Sequence, residues 1–238
     1  MKEKVLVARG ALKKDKKRSR GDAALLAAVV FLACVGTVFI YSASNYSALA
    51  TYGDAFYFVK KQAIGVLLGI AAMVFTAFFD YEKLKKFNIP VAVTSVILLA
   101  LVFVPGIGVE NYGAKRWISL GAFTLQPSEI AKFSLILFSA TYFSNHPDRA
   151  KSFLGILPVL GFGLVLCLLI IAEPNMSITV CVALLLLTML FAAGMRVKHF
   201  VLLIIPALAA GVVLILAAPY RLRRLTAFLS PWSDPKGE

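Results

Sequence analysis

Apolar residues run in long blocks along this chain, and polar residues gather between them. Six blocks carry no charged side chain: Ala23–Ser42, Gln62–Phe79, Ile89–Val109, Phe153–Ala172, Pro174–Met195 and Phe200–Tyr220, each of 18 to 22 residues. A helix rises about 1.5 Å per residue and the hydrocarbon core of a bilayer is about 30 Å thick, so about 20 residues cross it. Each block predicts a spanning helix. A seventh, Pro127–Phe143, has 17 residues and carries Glu129 and Lys132. Segments of about ten alternating residues, which a β-barrel needs, are not seen. The pattern predicts an all-α polytopic membrane protein with seven transmembrane helices. The first span is expected to exit at Tyr41–Ser44, with an aromatic loop Asn45–Lys61 beyond it. The third is expected to end at the breaker Pro105-Gly106-Ile107-Gly108.

Composition agrees, with 60% hydrophobic and 16% charged residues, too apolar for a soluble domain. A net charge of +13 suggests nucleic acid until its distribution is followed. Nine of the 25 Lys and Arg lie in the first 20 residues. With that end cytoplasmic, sixteen fall inside and nine outside, as the positive-inside rule requires. Topology thus accounts for most of the basicity, and no nucleic-acid partner is expected. Residues 1–22 form a basic cytoplasmic arm, 23–220 the membrane domain and 221–238 a polar outer segment. Ala48-Leu49-Ala50 mimics a signal-peptide cleavage site, but the apolar run before it is too long, so the helix is expected to be retained. Cys34, Cys167 and Cys181 lie in or against apolar runs and are expected to be small buried hydrophobes.

This topology turns Val109–Lys132, Glu173–Asn175 and Tyr220–Glu238 to the outer face, where the head group of an anionic amphiphile would sit. Glu129 and Lys132, three residues apart, share one helix face. Charges at membrane depth are costly unless paired or wet, so the two are either a structural ion pair or in contact with substrate. Asp234 stands in Asp-Pro-x-Gly, which suits a surface turn or, alternatively, a general base taking a proton from a hydroxyl nucleophile. Lys115, Arg116, Arg221, Arg223 and Arg224 either snorkel to lipid phosphates or neutralise a diphosphate. Glu173-Pro174-Asn175 reads most simply as a helix start with proline in its first turn. His146 and His199 receive no role. Cys/His metal spacing, glycine-rich phosphate loops and Ser/His/Asp signatures are missing, so no cofactor is expected.

Five stretches together, YSAS (41–44), FVKKQAIGVLLG (58–69), NYGAKRWISLGAFTLQPSEIAKF (111–133), EPNMS (173–177) and PYRLRRLTAFLSPWSDPKG (219–237), resemble the shape, elongation, division and sporulation (SEDS) family of bacterial cell-wall synthesis, which includes FtsW, RodA and SpoVE. The detail is closer to FtsW and SpoVE. The resemblance implies a peptidoglycan glycosyltransferase of the bacterial cytoplasmic membrane. It would polymerise lipid II, the undecaprenyl-diphosphate-linked disaccharide-pentapeptide, on the outer face.

Matched by motif, Asp234 falls on the family's catalytic loop aspartate. Glu129 and Lys132 fall on its paired charges in the fourth helix, and Lys115, Arg116, Arg221 and Arg224 on basic substrate-binding positions. The implied partners are a class B penicillin-binding transpeptidase and membrane proteins of the divisome or elongasome. A divalent cation could assist the diphosphate, although no cage of carboxylates is visible for one. The family fold has about ten membrane helices, whereas this chain holds seven and ends four residues beyond Asp234. The expectation is a C-terminally truncated form, inactive alone, whose outer segment is the start of a large extracytoplasmic loop. Two other classes would use the same features: a flippase for lipid II, and a non-catalytic scaffold of the cell-wall machinery.

Overall fold

The computed structural model describes residues 23–111, 114–121 and 123–217. Seven α-helices occupy them: α1 (Ala23–Tyr52), α2 (Tyr57–Phe78), α3 (Asn88–Leu101), α4 (Pro127–Asn145), α5 (Phe153–Ala172), α6 (Met176–Ala192) and α7 (Val197–Leu216). Five helical stretches are long and apolar enough to cross a membrane: α1, α2, Tyr81–Leu101, α5 and α7. The helix α6 is shorter, with 17 residues, and α4 carries Glu129 and Lys132. The chain divides into two compact units, Met1–Tyr81 and Glu82–Glu238.

In the first unit α1 and α2 form a helical hairpin. The helix α1 does not stop at Ser42–Ser44 as expected; it runs on to Tyr52, through a stretch rich in Ser and Ala. Those hydroxyls bond back to the helix itself, Ser44 Oγ donating to the Ile40 carbonyl at 2.6 Å and Ser47 Oγ to that of Ser44 at 3.0 Å. Polar side chains whose hydrogen bonds are met internally do not end a helix. Gly53 ends it, with φ +69° and its N–H on the Leu49 carbonyl at 3.0 Å, the left-handed C-terminal cap that glycine adopts without strain. Asp54 then accepts from the Phe56 N–H at 2.9 Å and pairs with Lys60 at 2.7 Å. The bond from Lys60 holds the Asp54 carboxyl below its ordinary value. Tyr52 stacks on Tyr57 with ring centroids 3.9 Å apart.

The second unit is entered through a 3-10 helix, Tyr81–Phe87. Its α3 ends at Leu101, four residues before the expected breaker at Pro105. A series of turns follows, and then a three-stranded antiparallel sheet of β1 (Gly108–Asn111), β2 (Ala114–Leu120) and β3 (Phe123–Leu125), in the order β1-β2-β3. Gly121, with φ +75°, lets the chain turn back within two residues between β2 and β3. The sheet leads directly into α4, where Pro127 occupies the first turn, a position that needs no N–H.

The core of this unit is built from α3 to α6. Leu99, Leu135, Ile156, Val159, Leu166, Ile170, Val182 and Leu190 are fully buried there. Gly163 on α5 lets Leu186 of α6 come so close that a Cβ at 163 would lie 2.6 Å from Leu186 Cδ2, the small-residue contact by which membrane helices pack. Between α3 and α4, Ser134 Oγ donates to Ser95 Oγ at 2.9 Å, both residues fully buried. The opposite faces are apolar and exposed, as at Leu154, Leu168 and Leu208, which suits a surface that meets lipid. The cysteines depart from expectation: Cys167 is half-buried, while Cys34 and Cys181 lie on exposed faces. A spanning helix is apolar all round, so an apolar context does not tell inside from outside.

Candidate functional site

The sheet, the start of α4 and the turn from α5 to α6 come together at one end of the second unit. Strand β2 sets the arrangement. Val109 pairs with Trp117 and Glu110 with Lys115, so the register shifts between them and Arg116 has no partner across the ladder. Arg116 is thus the extra residue of a β-bulge, a device that redirects a side chain away from regular alternation.

Its guanidinium reaches the α5–α6 turn. Nε donates to the Glu173 carbonyl at 3.4 Å and an Nη2 hydrogen to the Pro174 carbonyl at 2.6 Å. A guanidinium has five N–H donors, so with two used, three remain unengaged among the described residues. The turn differs from its sequence reading: Pro174 precedes α6, and Asn175 is the cap residue. Asn175 accepts from both the N–H and the hydroxyl of Thr179, at 3.1 and 2.9 Å.

Sequence reasoning gave Glu173 no role beyond starting a helix. In the structure it is 1% exposed and neither carboxyl oxygen has a hydrogen-bond partner. Burial pushes its carboxyl up to about 8, with the nearby Arg116 charge pulling the other way. The amide nitrogen of Asn175, 6% exposed, is also without a partner. The sequence signal was a carboxylate placed directly after the twenty apolar residues of α5, where burial is expensive.

Glu129 and Lys132 do pair, with Lys132 Nζ 2.9 Å from Glu129 Oε2 on the first turns of α4; Lys132 is the more buried, its side chain 25% exposed against 54%. Lys115 sits on β2 beside Arg116 and is exposed. Asp234, Arg221 and Arg224, with Arg223, lie outside the described residues. Among the described residues no three His, Cys, Asp or Glu side chains gather to hold a metal ion.

The apolar helices, with this cationic, sheet-built end, define a multi-pass α-helical membrane protein. The family model described as "Cell cycle protein", covering FtsW, RodA and SpoVE, matches residues 23–238, and the chain belongs to that family. It is 36% identical over 221 residues to "Probable peptidoglycan glycosyltransferase FtsW" of Geobacter sulfurreducens (strain DL-1 / KN400), covering 92% of this chain and 59% of the relative. It is 35% identical over 222 residues to "Stage V sporulation protein E" of Bacillus subtilis (strain 168), covering 93% and 61%. Among solved structures it resembles a chain from work described as "Structural coordination of polymerization and crosslinking by a peptidoglycan synthase complex". There the TM-score is 0.62 at 28% identity, covering 85% of this chain and 60% of the other. The chain therefore spans about 60% of the length of these relatives.

Proposed function

We propose that this chain forms the membrane core of a peptidoglycan glycosyltransferase that polymerises lipid II at the outer face of the bacterial cytoplasmic membrane, its N-terminus in the cytoplasm. The observation that carries the reading is the seat of Arg116. A bulge aims it at the α5–α6 turn, two main-chain carbonyls hold it, and three of its donors remain for an anion. Family membership and the activity named for the relatives supply the reaction; the distribution of Lys and Arg supports the orientation.

In the proposed step a sugar hydroxyl of the acceptor attacks the anomeric carbon of the donor from the side opposite its diphosphate. A C–O bond forms as the bond to the diphosphate breaks, inverting that carbon. Asp234 accepts the hydroxyl proton. The prenyl diphosphate departs with the electron pair, and Arg116, Lys115, Arg221 and Arg224 stabilise its charge. The Glu129–Lys132 pair keeps the wall beside them in shape. The synthase complex in which the structural relative occurs supports a crosslinking partner, and we assign a class B penicillin-binding protein, within the divisome or elongasome, to that place.

The test is a gel assay of labelled lipid II with the full-length protein. Wild type is expected to make glycan strands, and Asp234→Asn to fold and insert but make none. Lipid scrambling without polymer, unaffected by Asp234→Asn, would instead establish a flippase.

A further inference from the structure

We propose that Glu173 is a positioning residue for Arg116: its buried carboxyl and the carbonyls of the α5–α6 turn form a cradle with two seats for the guanidinium. One seat, on the carbonyls, is the one observed; the other is on the carboxylate. The inference deepens the proposed function and rests on it for the role of Arg116 in holding an anionic lipid head group.

The geometry is anomalous for an ordinary ion pair. Arg116 bonds the main chain of Glu173 and Pro174, while the Glu173 carboxyl, 1% exposed, makes no hydrogen bond at all. An ionised carboxylate in that place would be buried and unpaired, within electrostatic reach of the Arg116 guanidinium, whose planar fork can take a carboxylate in bidentate fashion. Burial without a partner favours the neutral acid there. Among the described residues, other charged groups on the surrounding elements do not displace this reading. Lys115 on β2 is exposed, Glu110 lies on β1, and Glu129 and Lys132 on α4 are bonded to each other. The helices α5 and α6 contribute only Cys167 and Cys181 as titratable groups, and α3 contributes none.

While Glu173 is neutral it does not cancel the charge of Arg116, and the donors left over are available to a diphosphate. When Glu173 ionises, the guanidinium pairs with it and its charge is cancelled. The carboxyl thus keeps the arginine available to ligand by staying protonated.

The sign of the linkage follows. Glu173 holds its proton to about pH 8 when folded, against an ordinary carboxyl value near 4.3 in an unfolded chain. The contribution to stability is therefore complete below the unfolded value and is lost as pH rises through about 8. The neutral fraction falls about tenfold between pH 7 and pH 9 for a group titrating near 8.

The experiment uses the full-length protein in lipid nanodiscs between pH 6.5 and 9.5, with wild type, Glu173→Gln and, as a second neutral variant, Glu173→Met. For polymerisation of labelled lipid II, the wild-type kcat/KM is expected to fall about tenfold from pH 7 to 9, and both variants to stay flat. The thermal midpoint of wild type is expected to fall over the same window, with the variants spared. A wild-type midpoint that does not fall, or variants that reproduce its fall, overturns the cradle. The midpoints need no turnover, so absence of polymer from every form would refute the proposed function while they still decide the role of Glu173. Midpoints that behave as expected beside a kcat/KM without pH dependence would refute the link to the head group.

Discussion

The contact between Gly163 and Leu186 allows a prediction in which one substitution changes sign with its background. A Cβ at 163 would lie 2.6 and 2.8 Å from the two Leu186 methyl carbons and 3.1 Å from Cγ. Carbon atoms prefer about 3.5–4.0 Å, so the overlap is about 1 Å. Leu186 is 4% exposed and packed in the core of the second unit, and overpacking of such a site costs about 2 kcal/mol. Alanine in place of glycine within a helix returns about 1 kcal/mol through propensity. Gly163→Ala should therefore destabilise by about 1 kcal/mol. Leu186→Ala alone should cost about 3 kcal/mol, by removing packed atoms and opening a cavity. In the Leu186→Ala background the obstructing methyls are gone, so Gly163→Ala should stabilise by about 1 kcal/mol, a coupling of about 2 kcal/mol. Reversible unfolding of the four forms in mixed micelles of rising denaturing-detergent fraction measures the cycle. If Gly163→Ala shifts stability by the same amount in both backgrounds, the reasoning about this interface is wrong.

Gly155 offers the contrasting case. A Cβ there would run into the Arg149 carbonyl, with Ser152 Oγ at 2.7 Å, and main chain cannot swing aside. Gly155→Ala should lower stability by about 3 kcal/mol, with no rescue by Ser152→Ala, measured by the same unfolding method. The buried Ser95–Ser134 bond should contribute only about 0.6 kcal/mol in a double-mutant cycle. Each hydroxyl keeps a carbonyl acceptor on its own helix, Ala92 for Ser95 and Ala131 for Ser134, both at 2.8 Å. For Glu129 and Lys132, Glu129→Gln should change thermal stability by less than about 1 kcal/mol, because the pair is partly solvated. Loss of lipid II polymerisation by that variant at unchanged stability would mark the pair as functional rather than structural.

The helices were legible because lipid imposes one strong rule: a spanning segment must satisfy its own main chain and be apolar along its length. Each of the seven apolar blocks corresponds to one of the seven helices. Where helices end was less legible. The extension of α1 through Ser44 and Ser47 to Tyr52 depends on hydroxyls bonding back to the helix, which composition counts as polar and hence as loop. The early end of α3 was hidden because Val102, Phe103 and Val104 remain apolar after the helix has stopped.

The sheet did leave a trace, in Ile118 and Leu120, then Phe123 and Leu125, alternating on either side of a turn with Gly121. Beside twenty-residue apolar blocks that signal is faint. Within the candidate site, the Glu129–Lys132 pair could be read from its spacing of three. The meeting of Arg116 with Glu173 could not, because it joins residues 57 positions apart through a bulge that no local pattern announces.

That bulge also makes the site sensitive to chain length as well as to chemistry. Arg116 faces the α5–α6 turn because β2 supplies one residue more than β1 at that point of the ladder. Deleting a single residue from β2 would restore regular pairing and bring a different side chain to the turn, leaving the basic residues intact but their aim lost. Within this segment an insertion or deletion is therefore the graver lesion, and the count of residues between the two ladder pairs is as much a part of the site as the arginine itself.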